Sequence, residues 1–203
     1  MPEEKEKEDY RPEEKESSQA VEAKLLADLR AIERAVETCC RCPGGGKGIP
    51  GCGEPGAEIF ILAGKPGPGA VRDNPWGAWR DVVLSRITDE WGWEFDGVYL
   101  STALRCPLQR ATREEVRRCA GFLAEELFLV GPRLVVVSGR VAAVALRAAL
   151  GDGIPKDPKA GDTCTMFSMR FLFDLDIARI DEEKQAAAVF WHVLFQGADL
   201  LDL

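Results

Sequence analysis

Three short apolar runs constrain this chain most: Glu58-Ile-Phe-Ile-Leu-Ala63, Gly97-Val-Tyr-Leu-Ser-Thr102 and Arg133-Leu-Val-Val-Val-Ser138. Each is too short for a stable helix, and none alternates apolar with polar. Such runs suit strands covered on both faces. Helical stretches lie between and after them, at 78–91, 113–129 and 140–150. Thr112 precedes the second, with Glu115 three positions on, the spacing of a capping box. Ser168 to Leu175 reads as a fourth strand, and Asp181 to about Leu194 as a last helix. Connections this long rule out hairpins and call for parallel pairing with helical crossovers. The expected fold is α/β: three layers, α/β/α, around a mostly parallel sheet of about four strands. Functional loops then gather at the carboxyl ends of the strands. The loops at 64–77, at 102–112 and after 175 meet that condition.

The ends differ from this middle. Residues 1–16 carry eight acids against four bases, half of the formal net charge of −8. With two prolines and little to bury, 1–18 reads as a disordered charged tail, leaving 19–203 as one domain. From Gln19 to about Thr38, Val21, Leu25, Leu29, Ile32 and Val36 recur every three to four positions, the stripe of an amphipathic helix. No apolar run approaches the ~20 residues of a membrane span, so no membrane partner is expected. The charged start is unlike a signal peptide, so the expected location is the cytoplasm.

Seven cysteines without an export signal point away from a disulfide framework and toward metal or catalysis. The first helix runs into Cys39-Cys40-Arg41-Cys42-Pro43, while Cys106 and Cys119 are separated by twelve residues. Four thiolates suit zinc or an iron–sulfur centre equally well by geometry alone. Structural zinc more often uses two tight Cys-x-x-Cys knuckles, so the wide second pair leans toward iron and sulfur. The bland alternative is a set of buried thiols packing as small hydrophobes. Cys40, Cys52 and Cys164 are spare and read as structural.

These segments, taken in order, resemble the iron–sulfur class of uracil-DNA glycosylases, often called family 4. The resemblance is carried by the helix ending in Cys39-Cys40-Arg41-Cys42-Pro43, by Gly51-Cys-Gly-Glu-Pro55 leading into Ala57 to Leu62, and by Tyr99-Leu-Ser-Thr-Ala-Leu-Arg-Cys106-Pro107. Arg113-Glu-Glu-Val-Arg-Arg-Cys119 and Arg133-Leu-Val-Val-Val-Ser-Gly-Arg-Val-Ala-Ala143 complete it. It implies a uracil-DNA glycosylase-like fold, a DNA partner and a structural 4Fe-4S cluster on Cys39, Cys42, Cys106 and Cys119.

Base excision flips a nucleotide into a tight pocket that stacks on the base, reads its edge and stabilises its departing charge. The family's first loop, Gly-Glu-Ala-Pro-Gly, corresponds to Ala63-Gly64-Lys65-Pro66-Gly67, so Gly64 stands where the catalytic glutamate would be. Trp76, in Asn74-Pro75-Trp76, matches the stacking phenylalanine, and Thr102 the base-reading asparagine. The closing His-Pro-Ser motif is missing: its stretch reads Phe173-Asp-Leu-Asp-Ile-Ala-Arg179, and the single histidine, His192, falls on the last helix. Gly64, Pro66, Gly67, Trp76 and Thr102 are thus the expected pocket. Asp73, Asp174 and Asp176 are the candidates to supply a carboxylate in its place. Lys65 is a candidate phosphate ligand or sugar-attacking amine, set against a plain solvated lysine. Trp76 and His192 have equally plain readings as packed or surface side chains.

For DNA phosphates the candidates are Arg105, Arg110, Arg113, Arg117 and Arg118, with Lys156 and Lys159 as an extension. The expected function is a divergent iron–sulfur glycosylase relative that binds DNA and either excises a damaged base or has lost that reaction. A non-enzymatic module docking a protein through its tail or through Leu200, Leu201 and Leu203 is the competing class. A zinc-stabilised domain is the third.

Overall fold

A computed structural model of the chain describes residues 12–43, 45–91, 97–108, 112–179 and 184–200. Helix α1 spans Pro12–Glu37 and precedes strand β1, Ile59–Ala63. Helix α2, Ala78–Trp91, leads to β2, Val98–Thr102, and α3, Arg113–Val130, to β3, Leu134–Ser138. Helix α4, Gly139–Leu150, follows at once. A hairpin of β4, Thr163–Met166, and β5, Met169–Asp174, comes next, then a 3-10 turn at Ile177–Arg179 and α5, Lys184–Leu200.

The sheet order is β2-β1-β3-β5-β4. β1 pairs in parallel with both β2 and β3, and β3 with β5. Every residue of β1, β2 and β3 is buried, which is why their sequences do not alternate. Phe60, Leu62, Val135 and Val137 face one core with α3 and α4. Ile59, Ile61, Leu134 and Val136 face the other with α2 and α5. The three-layer α/β/α expectation is met.

Two boundaries differ from the sequence reading. The sequence expects a tail over 1–18, whereas α1 begins at Pro12. Proline suits the first helical position. Residues 1–11 of that tail lie outside the described residues, as do 181–183 at the expected start of the last helix and Leu201 and Leu203 at its end. The second difference is β4, a fifth strand, antiparallel on the sheet edge. Its Thr-Cys-Thr-Met sequence is short and half-exposed. The two-residue turn uses Phe167 and Ser168, both at positive φ (52° and 64°), without the Asn-Gly that usually marks such a turn.

Helix α3 carries the expected capping box. Thr112 Oγ1 accepts from Glu115 N–H at 3.2 Å, and Glu115 Oε2 accepts from Thr112 N–H at 2.8 Å. Gly131, in the left-handed region at φ 63°, ends the helix. The box fixes where α3 starts and so where Cys119 falls, two turns later.

Candidate functional site

In an open parallel sheet the natural ligand crevice lies where successive crossovers leave in opposite directions. Here that point is between β1, whose chain returns to β2, and β3, whose chain goes on toward β5. The β1 loop meets the first turn of α4 there. A Cβ on Gly64 would lie 3.1 Å from Val141 Cβ, so Val141 covers the place a glutamate would need. Pro66 is buried and Lys65 exposed. Gly67 is pressed on the Trp76 backbone, where a Cβ would fall 2.0 Å from the Trp76 carbonyl oxygen.

The expected pocket side chains are turned to other work. Trp76 is fully buried, packs with α2 and α5, and donates its indole N–H to Ser101 O at 2.9 Å. Thr102 is equally buried and donates to Leu104 O at 2.8 Å. Neither exposes a face to a base, which corrects their assignment as stacking and reading groups. The cause is packing: the indole lies in the core cluster with Trp79, Val83 and Phe190. Asp73 is almost fully exposed, 3.8 Å from Arg72 Nε. Arg72 also reaches Glu33 and Glu37 of α1 at 3.3 and 3.2 Å, tying the loop to that helix. His192 is exposed on α5 beside Gln196.

Of the four expected ligand cysteines, Cys106 and Cys119 each feel the charges of Cys39 and Cys42. Burial first, and then the nearby Cys119, Cys42 and Cys39, push the Cys106 thiol up to about 11. Burial also raises Cys119, offset by the Arg105 N–H donated to it and by the Arg105 charge, with Cys42 and Cys39 raising it again. Gly45 lies against the site: a Cβ there would be 3.4 Å from Cys106 Sγ and 3.1 Å from Cys42 O. Among the described residues no three Cys, His, Asp or Glu side chains are arranged to hold a single metal ion. Cys39 and Cys42 are half-buried and Cys106 and Cys119 buried. Cys40 is exposed, and Cys52 and Cys164 are half-buried, as free thiols.

Arg105 corrects one assignment. It is only 1% exposed and pairs with Glu126, which is fully buried, at 2.6 Å. Its other terminal nitrogen donates to Ser101 Oγ at 2.9 Å, and Ser101 Oγ donates to Glu126 Oε2 at 2.7 Å. Gly51 N–H reaches Glu126 Oε1 at 3.3 Å. Arg105 thus binds no phosphate. It locks the segment before Cys106 to α3 and to the loop at Gly51. A buried guanidinium needs such a partner. The residue missed was Glu126, and the sequence did hold a signal: an acid among Leu123, Leu127 and Val130 on the buried side of α3.

Arg113 and Arg117 are exposed on α3, the helix that carries Cys119. Arg118 is committed, donating to Glu114 at 3.3 Å and to Arg41 O at 2.7 Å. Arg110 lies outside the described residues.

Asp174, last residue of β5, lines a different cavity of about 430 Å³ between β3, β5, α4 and the 156–160 segment. It is 6% exposed; Oδ1 accepts from Leu175 N–H at 2.6 Å and Oδ2 has no partner. Burial pushes its carboxyl up to about 8, against the lowering effect of the Leu175 N–H. Asp176, Lys156 and Lys159 line the same cavity.

Comparison with known proteins agrees with this architecture. A family model described as the Uracil DNA glycosylase superfamily matches residues 50–190. A type-4 uracil-DNA glycosylase of Pyrobaculum aerophilum is 26% identical over 133 residues, covering 61% of this chain and 67% of that protein. One from Archaeoglobus fulgidus is 28% identical over 125 residues, 58% of this chain and 63% of its own. A type-5 uracil-DNA glycosylase of Pyrobaculum aerophilum is 44% identical over 62 residues, 30% of this chain and 27% of that protein. The chain thus spans about two-thirds or less of the length of these relatives. With most of its described fold inside the matched region, the chain belongs to the uracil DNA glycosylase superfamily.

Proposed function

We propose that this chain is a DNA-binding iron–sulfur protein in which Cys39, Cys42, Cys106 and Cys119 hold a 4Fe-4S cluster and uracil excision by the family's usual residues has been lost. The observation that supports the reading is the charge interaction of Cys106 and Cys119 with Cys39 and Cys42, on a chain whose α3 also exposes Arg113 and Arg117. A bound cluster would supply a cross-link between those segments. Arg113 and Arg117 then face phosphates as exposed, always-charged forks. Excision is opposed by three features: Gly64 covered by Val141, Trp76 and Thr102 buried and hydrogen-bonded elsewhere, and the histidine displaced to α5.

A second reading rests on Asp174. A carboxyl that stays protonated near neutrality can give a proton to a departing base. Excision would then proceed at the β3–β5 cavity.

The test uses cluster-loaded protein on single- and double-stranded oligonucleotides carrying uracil, hypoxanthine or xanthine, measuring bound DNA and free base. The proposal expects salt-dependent binding and no base release. Release abolished by Asp174→Asn would favour the second reading. Iron and acid-labile sulfide in about equal amounts, lost in Cys106→Ser, checks the cluster. A single zinc per chain would overturn it.

A further inference from the structure

The loop between β1 and α2, residues 64–77, is held at its neck by its own backbone. Gly67 N–H donates to Pro75 O at 3.1 Å, Ala78 N–H to Pro68 O at 3.0 Å, and Val71 and Asn74 exchange two bonds of 3.0 Å. Gly77, at φ 53°, lets the closing turn pass, since a Cβ there would fall 2.0 Å from Pro68 O. The tip is held differently. Val71 is 59% exposed and buries little. Beside it Arg72 reaches α1, 3.3 Å from Glu33 Oε2 and 3.2 Å from Glu37 Oε1. A cavity of about 160 Å³ lies there, lined by Glu33, Gly51, Cys52, Glu54, Arg72 and Asp73. Charged side chains thus bridge the tip to α1 across a polar gap, the kind of contact that opens at low cost.

Helix α1 needs that bridge as much as the loop does. Glu33 and Glu37 stand one turn apart on one side of α1, with side chains only 21% and 13% exposed. Like charges at that spacing repel, more strongly when shielded from water, and a guanidinium fork between them relieves both. The same turn leads directly to the cysteine site. Thr38 N–H donates to Arg34 O and Cys39 N–H to Val36 O, each at 3.1 Å, so Cys39 closes the turn that carries Glu37. Cys39 also packs against Ile32, Val36 and Phe122. The last two turns of α1 therefore touch both a thiol assigned to the cluster and the arginine of the loop.

We propose that Arg72 is a positioning residue that carries the state of the cysteine site to the β1–α2 loop. With Cys39 and Cys42 bound to the cluster, the last turns of α1 are fixed, Glu33 and Glu37 hold Arg72, and the loop stays closed at the end of β1. Without the cluster that end of α1 frays, the two carboxylates lose their fixed places, and the loop loosens. The inference rests on the cluster reading above and is independent of DNA binding through α3.

The experiment is amide hydrogen exchange of the full chain, with and without the cluster, in the parent, in Arg72→Ala and in Glu33→Gln/Glu37→Gln, with iron and sulfide measured on every sample. The amides of Ala70, Val71, Asn74 and Gly77 donate within the loop and so report its opening. In cluster-loaded protein both variants are expected to exchange these amides about fivefold faster than the parent, while α4 amides stay unchanged. Stripping the parent speeds the loop at least as much, and stripping Arg72→Ala adds nothing further there. Coupling of this kind is reciprocal, so Arg72→Ala also weakens retention of the cluster against a chelator by a similar factor. That arm is read by absorbance and needs no stripped protein to remain folded. Equal loop exchange in loaded parent and loaded Arg72→Ala would overturn the inference. So would a stripping effect of the same size in both, or cluster retention indifferent to Arg72. A parent that takes up no iron or sulfide would overturn the cluster reading and this inference with it, and the metal content shows which of the two has failed.

Discussion

At the scale of single residues, charge burial makes the sharpest predictions. Glu126 is fully buried and holds the 1%-exposed Arg105. Removing it strands a guanidinium in the core, a loss of about 3–5 kcal/mol for Glu126→Ala. Denaturant melts should show that drop, and the paired variant Arg105→Met/Glu126→Leu should recover much of it. Asp174 works in the opposite sense. Its folded carboxyl titrates at about 8 and its unfolded one near 3.8. Below the lower value both states are protonated and nothing is lost. Between the two the unfolded chain has released its proton while the folded one holds it, so stability falls as pH rises and levels off above 8. Asp174→Asn removes that slope. Its stability advantage over the parent should be nil near pH 4 and grow to the order of a few kcal/mol by pH 8. Thermal melts across that range check it, and a constant difference would refute the assignment.

At the scale of elements, α3 has the most to answer for. It carries a capping box, a cysteine of the four-thiol site, the buried Glu126 and the exposed Arg113 and Arg117. Thr112→Ala should cost about 1 kcal/mol. If Arg113 and Arg117 meet phosphates, replacing both should lower the slope of log K against log salt by roughly 0.9 per contact on duplex DNA. An unchanged slope would remove α3 from the interface. The β4–β5 hairpin offers a simpler test. Phe167 and Ser168 both hold positive φ without being glycine, so Phe167→Asn/Ser168→Gly should relieve backbone strain. A gain of about 1 kcal/mol is expected. The lost edge-to-face contact of Phe167 with Phe128, at 5.4 Å between centroids, offsets part of it.

For the whole molecule, the proposed cluster would tie the chain just after α1 to the segment from Cys106 into α3. Loading a 4Fe-4S cluster should raise the melting temperature, and Cys106→Ser should abolish that rise while the sheet remains folded. The sheet's own burial does not depend on the site, because both cores close around β1 and β3.

Strand positions and layer order were legible in the chain itself, because a both-faces-buried strand must be apolar throughout. The α1 start, the edge strand β4 and the fate of the polar residues were not. Arg105 looks like any other arginine until Glu126 is brought to it from twenty-one positions away. Trp76 looks like a stacking platform until the sheet and α2 close over it, and Gly64 looks vacant until Val141 covers it. Burial of these groups follows from contacts between segments distant in sequence, and local pattern carries no record of them. Local physics chose the elements, and tertiary packing decided which side chains were left to act.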